Sequence, residues 1–267
     1  MKQLLILLAI AMVSFSAVAQ ETKPSAKNRK EEKRKRVNAM LKLEEEGVIT
    51  YKKSFAVGIK MNTDGYGILI EKGKARSVKK AMLFQLEIDE RKHQKELKQS
   101  NIFAGSSPLI FGKINFFYPL KLGVQQQFVL GNKSNKNGVS VTANVGGGLI
   151  AGFLRPYEIN VTDTATGQMR FVRYESKDSF LYLNALNDPQ SSGPGLSKGW
   201  NGLKVTPGIY LKTGLRFDYG RFNELVSAIE VGLTGEIYSK KIPQMIYQKQ
   251  KQFFFGAYFS LLFGKRK

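Results

Sequence analysis

The chain has no cysteine, one histidine and one tryptophan among its 267 residues. Without cysteine there is no disulfide framework, no thiol chemistry and no attachment point for a lipoprotein anchor. One imidazole and no thiolate leave only scattered carboxylates for a metal, so neither a metal site nor a cofactor is expected. Acidic residues are also scarce, 21 against 42 Lys and Arg, which gives a net charge of +21. Long apolar runs are missing after the first nineteen residues, which excludes a spanning helix of about 20 residues. A mean hydropathy of -0.25 excludes little, because a membrane-spanning strand needs apolar residues only at alternate positions.

The N-terminus reads as a secretory signal over residues 1–19. Lys2 supplies the positive start, Leu4 to Phe15 the apolar stretch, and Ala17-Val18-Ala19 a small-residue cleavage site before Gln20. Export argues against the nucleic acid that a basic cytoplasmic protein would suggest, so the partners expected of the excess charge are anionic lipid, lipopolysaccharide or acidic polymers, with charge that merely keeps loops solvated as the equal alternative. Residues 20–50 form a separate charged periplasmic segment, expected to be partly helical. Glu31 with Lys35 and Glu32 with Arg36 make i,i+4 pairs, Val37, Met40 and Leu41 an apolar strip, and Gly47 a stop. Its charges oppose the helix dipole, with Glu44 to Glu46 at the C-terminal end; a solvated tether, a docking arm and a barrel plug all remain open for it.

From Tyr51 the pattern changes to period two. Phe55, Val57, Ile59 and Met61 alternate with Ala56, Gly58 and Lys60, and Thr63-Asp64-Gly65 turns the chain into Tyr66, Ile68 and Ile70. Met82 to Ile88, Val139 to Val145, Val205 to Phe217 and Ile229 to Ile237 repeat it. The chain ends on the clearest example, with Phe253, Phe255, Ala257, Phe259, Leu261 and Phe263 on one face. The 26 Gly, 18 Phe and 11 Tyr suit small inward positions and aromatic girdles.

The fold class expected for residues 51–267 is all-β, an antiparallel transmembrane β-barrel of about ten strands. Pro119 and Gly146 to Gly148 serve as turns in that count; if they lie within strands the number is eight, also even as such barrels require. With ten strands, residues 92–107, 131–137, 162–202 and 239–250 fall outside, and 162–202 is a long outer loop with a local hairpin near Met169 to Tyr174. A soluble barrel with its apolar faces turned inward shares the same alternation.

The chain resembles a family of Gram-negative outer-membrane β-barrel proteins without an assigned activity. The resemblance rests on Ala17-Val18-Ala19, the alternating strands, Asp218-Tyr219-Gly220-Arg221-Phe222-Asn223 and Phe263-Gly264-Lys265. It implies the outer membrane of a Gram-negative bacterium and contact with the barrel-assembly machinery during insertion. The usual aromatic last residue is replaced by Lys265-Arg266-Lys267, which shifts the insertion signal back to Phe263.

No catalytic residue is expected. His93 follows Arg91-Lys92 in an outer loop, with Glu90 as the nearest acid and Ser106 and Ser107 beyond, and no Asp-x-His or His-x-Ser motif is present. Gly67 to Lys74 has the wrong spacing for a phosphate loop, and Asp163-Thr164-Ala165 matches a short O-glycosylation acceptor. Lys60, Glu87, Asp89, Lys113, Lys212, Arg216, Glu230 and Glu236 are expected to point inward, where opposite charges in a narrow lumen would pair and close it; Lys121 and Gln125 are candidates to line a small path. The function expected is a structural or binding role, with basic outer loops contacting lipopolysaccharide or another ligand; a rim enzyme on lipid or peptide and a small gated channel are the alternatives. The sequence leaves the oligomeric state open.

Overall fold

A computed structural model describes residues 51–267 except 78, 100–107, 133–137, 164–165, 176, 189 and 221–224, together with residues 31, 32, 34, 35 and 38. The chain divides into two units, residues 1–42 and 43–267. In the first, Glu31, Glu32, Arg34, Lys35 and Asn38 are helical and exposed. The leader and Glu44 to Glu46 lie outside the described residues.

The second unit is a closed antiparallel ring of eight strands. They are β1 (Lys53–Asn62), β2 (Gly65–Ser77), β3 (Lys80–Arg91), β4 (Asn115–Gly131), β5 (Ser140–Pro156), β6 (Lys204–Asp218), β7 (Leu225–Ile242) and β8 (Lys251–Arg266). Each strand pairs with its sequence neighbour, and β1 closes on β8 from Ser54 opposite Arg266 to Asn62 opposite Tyr258. Closure leaves no sheet edge, so the ring satisfies its own backbone donors and acceptors.

Eight is the alternative count, and two local features explain why ten fails. Pro119 does not turn the chain. It pairs with Gly152 of β5 on one side; on the other, the β3 ladder is interrupted between Ile88↔Leu120 and Arg91↔Phe117, where a proline has no N–H to offer. Gly146, Gly147 and Gly148 run straight through β5, paired with both β4 and β6. A Cβ on Gly148 would come within 2.0 Å of the Leu122 carbonyl oxygen, so glycine there permits close strand approach instead of a turn. Both merged strands are 17 residues long. Merging them puts the link from β4 to β5 at the barrel end that carries Lys53 and Arg266, opposite to the placement expected with ten strands. The described residues of 92–114, 157–203 and 243–250 share the other end, here the outer end, as long loops do in barrels of this kind.

The alternation resolves outward. Val57, Ile59, Ile68, Phe84, Leu149, Leu211, Leu233, Phe255 and Phe263 are exposed, Leu211 by 74%, while their neighbours Lys60, Leu69, Glu87, Lys212, Thr234 and Glu236 are buried. Leaving one large apolar side chain in water forgoes about 1.5–3 kcal/mol relative to burial, so a belt of them around the whole ring fits hydrocarbon and not water. The soluble alternative required the reverse. Lysines are outward residues at the end opposite the long loops: Lys53 stands opposite Lys74, and Lys72 and Lys265 flank Phe55.

Candidate functional site

The lumen is filled by side chains. Arg216 bridges β6 to β2 and β7, its two terminal nitrogens meeting both Glu71 oxygens at 2.7 and 2.6 Å and its Nε donating to Glu230 at 2.8 Å. Lys212 and Lys60 hold the two oxygens of Glu87, each at 2.6 Å. Lys121 bridges Asp89 at 2.6 Å and Glu236 at 2.7 Å, and Arg91 reaches Glu236 at 2.9 Å. Tyr258 donates to Glu230 and Tyr238 to Glu236, both at 2.8 Å. Five cations thus share five carboxylates, and every one of the ten is at least nineteen-twentieths buried. Opposite charges at these distances form short, charge-assisted hydrogen bonds that fix the geometry of the lumen.

Apolar layers close the network at both ends. Toward the loops, Phe117, Ile150, Leu154, Tyr210, Tyr238, Ile242 and Phe254 form one cluster, in which the Phe117 ring meets Tyr238 and Phe254 at 5.3 and 5.7 Å. The Tyr210 hydroxyl occupies the space that a Cβ on Gly123 would need, 2.1 Å away. Toward the termini, Ala56, Leu69, Val226, Ala228 and Leu262 form the other. Lys121 and Gln125 line no path: both are buried, and Lys121 is held by its two carboxylates.

Sequence reasoning placed Lys60, Glu87, Asp89, Lys212, Arg216, Glu230 and Glu236 in the lumen, and the structure brings all seven together. Lys113 belongs elsewhere. It sits in the loop before β4, bound to Glu96 at 2.6 Å. Glu71 and Arg91 were missed, although each continues the inward parity of its strand, at Leu69 and at Glu87 and Asp89.

Above the mouth, three outer loops share a small core of their own. A ribbon of Glu158–Thr162 and Met169–Arg173 and a short helix, Ser179–Leu183, pack Ile159, Val161, Val172, Tyr182 and Ala185 against Leu109, Ile110 and Tyr157. The Tyr182 hydroxyl donates to the Lys113 carbonyl, Ile246 N–H to Gly112 and Ile114 N–H to Gln244, both at 2.8 Å. The hairpin expected near Met169 is therefore half of this ribbon, and the region forms an ordered cap. Arg155, at the end of β5, lies over Phe116 at 4.1 Å and Trp200 at 5.0 Å and donates to the Leu196 carbonyl at 2.8 Å.

Beside the cap lies a recess of about 270 Å³ between the β1–β2 turn, the start of the loop after β3 and the β7–β8 loop. Lys92, His93, Lys95, Lys249 and Lys251 line it, with one acid, Asp64, and with Gln244, Gln248, Phe253 and Phe255. Among the described residues no carboxylate lies in ion-pair range of Lys92, Lys95, Lys249 or Lys251. The nearby acids are engaged: Glu96 with Lys113, Asp64 with Arg91 at 3.5 Å. His93 accepts a hydrogen bond from the Lys95 backbone N–H on Nδ1 at 3.2 Å, and the His93 backbone N–H donates to Glu96 at 2.9 Å. Partial burial, then Lys251, pushes the imidazole below its ordinary 6.5, against the opposing pull of Glu96. Among the described residues no hydroxyl or carboxylate touches the ring; Glu90 is bound to the Tyr66 hydroxyl at 2.7 Å. Ser106, Ser107 and Thr164 lie outside the described residues. No group of three or more His, Asp or Glu among the described residues could hold a metal ion.

A closed ring with a lipid-compatible exterior, a filled lumen and long loops at one end defines a transmembrane β-barrel of the outer-membrane type. Neither a protein-family model nor a curated protein matches the sequence. Among solved structures, the chain is similar to Neisserial surface protein A, at 10% identity and a TM-score of 0.39 over 81% of this chain and 96% of that one. It is also similar to Ail, the attachment invasion locus protein of Yersinia pestis, solved with the heparin analogue sucrose octasulfate, at 10% identity and 0.37 over 80% and 97%. The N-terminal β-barrel domain of Pseudomonas aeruginosa OprF gives 12% and 0.33 over 79% and 96%. The class itself rests on the barrel.

Proposed function

We propose that the protein is a non-enzymatic β-barrel of the Gram-negative outer membrane, a sealed scaffold that presents a basic recess to anionic lipopolysaccharide or another polyanionic ligand at the cell surface. The observation that carries this reading is the contrast in pairing. Every lumen carboxylate named above is engaged by a lumen cation, while among the described residues four lysines at the outer rim have no carboxylate in ion-pair range, Asp64 in the same wall being held by Arg91. Exposed cations in such a cluster repel one another, and an anion bound among them relieves that repulsion. The cap core and the sealed lumen hold the loops that carry the cluster in place, which limits the ordering cost of binding.

The location is tested by fractionation. The expected result is recovery with the outer membrane and heat-modifiable migration in detergent gels; a freely soluble periplasmic monomer contradicts it. Binding is tested with the folded barrel in uncharged detergent and a sulfated oligosaccharide as probe. The expected result is salt-sensitive binding that Lys92→Gln, Lys95→Gln, Lys249→Gln and Lys251→Gln together abolish; wild-type protein that ignores the probe at low salt contradicts it.

A further inference from the structure

The recess does not end at the rim. Phe253 and Phe255, which form part of its wall, also border a groove of about 430 Å³ on the outward face of β5 to β8. The two therefore meet at a pair of phenylalanines. On β8 the outward positions run Lys251, Phe253, Phe255, so the Cα atoms of the lysine and the first phenylalanine are about 7 Å apart along a strand that rises 3.2–3.4 Å per residue. Below them, Gly235 of β7 leaves a notch between Leu233 and Ile237. It stands opposite Leu211 of β6 and Phe255 of β8, which also face outward. The groove is almost wholly apolar and descends from the rim to mid-span near Val145.

We propose that recess and groove form one site for a phosphorylated, acylated glycolipid of the outer leaflet, with a head-group phosphate among Lys92, Lys95, Lys249 and Lys251 and one acyl chain lying over Gly235. This deepens the function proposed above and rests on its assignment of the loop end to the cell exterior. The occupant follows from the two halves. A soluble polyanion would fill the recess and leave the groove empty, and an uncharged lipid would do the reverse. Only an amphiphile with fixed negative charge beside its chains uses both, and the phosphate lies at the height of the lysines when the chain enters below the phenylalanines. Aromatic rings at such a junction suit the boundary between head groups and hydrocarbon.

The glycine gives the test. A Cβ on Gly235 meets nothing nearer than the Phe253 ring at 4.0 Å, so a larger residue fills the groove without disturbing the strand. Full-length barrel in uncharged detergent is titrated at low salt with lipid A, phosphatidylglycerol and a sulfated oligosaccharide, comparing wild type with Gly235→Leu and, as a milder filling, Gly235→Ala. The expected result is retention of lipid A over phosphatidylglycerol by the wild type. Gly235→Leu should weaken lipid A about tenfold, the equivalent of one or two methylene groups kept out of the groove, with Gly235→Ala between and oligosaccharide binding unchanged in both. Should Gly235→Leu lose heat-modifiable folding, Gly235→Ala alone decides. Lipid A bound equally by wild type and the filled variants overturns the groove while the recess and its function stand. Equal retention of phosphatidylglycerol overturns the glycolipid, and failure of the wild type to bind either lipid A or the oligosaccharide overturns both readings.

Discussion

The lumen and the outer recess use the same residue types to opposite effect. Inside, Lys60, Arg91, Lys121, Lys212 and Arg216 are matched by Glu71, Glu87, Asp89, Glu230 and Glu236, with hydrogen bonds from Tyr238 and Tyr258 completing the set. At the rim, lysines outnumber carboxylates and the acids within reach are already engaged. Charge in the lumen therefore serves architecture, and charge at the rim is available to a ligand. The ten lumen charges cancel and add nothing to the net +21; charge exposed at the rim is screened by salt.

Mutation of each region should separate them, and the lumen should respond most. Arg216→Leu removes the cation bound to buried Glu71 and leaves Glu230 with Lys212 as its cation, and loss of one partner of a buried pair costs about 3–5 kcal/mol. Urea unfolding from lipid vesicles should show that loss, whereas Lys251→Leu at the rim should stay within about 0.5 kcal/mol; equal effects would erase the distinction. Next in size, Leu211→Arg should cost about 2–4 kcal/mol in the same titration if the belt faces lipid. A change within about 0.5 kcal/mol would mean that this face meets water.

Rim substitutions should leave stability alone and change binding. Wild type and the fourfold Lys→Gln variant should differ clearly in affinity for a sulfated oligosaccharide at low salt and converge at 1 M salt, where the screening length is about 3 Å. Persistence of the difference at high salt would point to direct contacts independent of charge. The smallest effect belongs to His93. Its pKa lies below 6.5, so the ring is neutral at pH 7 and gains its proton only below that value. A bound anion favours the protonated form, so affinity should rise as pH falls from 7 to 5. Lys95, Lys251 and Lys113 oppose that proton and Glu96 favours it. His93→Ala should match wild type at pH 8 and lose the pH dependence; an unchanged profile would remove the imidazole from the recess.

Much of this was legible from parity alone. Once Phe55, Val57 and Ile59 are placed on one face, Lys60 and its counterparts Glu87, Lys212, Glu230 and Glu236 follow on the other, and a narrow ring forces them to pair. The direction of that face was not legible, because period-two alternation is symmetric between inside and outside; exposure of Leu211 and Phe255 decided it. Pro119 and Gly146 to Gly148 misled because turn-forming residues also occur where a ladder has a gap or neighbouring backbones crowd. The recess escaped notice for a different reason. Lys92 and Lys95 lie more than 150 positions from Lys249 and Lys251, and only closure of β8 on β1 brings the two groups to one rim.

A lumen sealed by its own charges confines the proposed function to the exterior. Single-channel recording of the purified barrel in a planar bilayer addresses that directly. A silent bilayer after verified insertion is the expected result, with steady current appearing only when a network member such as Arg216 is removed. Stable conductance by the wild-type barrel would contradict the account and make the lumen, not the rim, the place where this protein works.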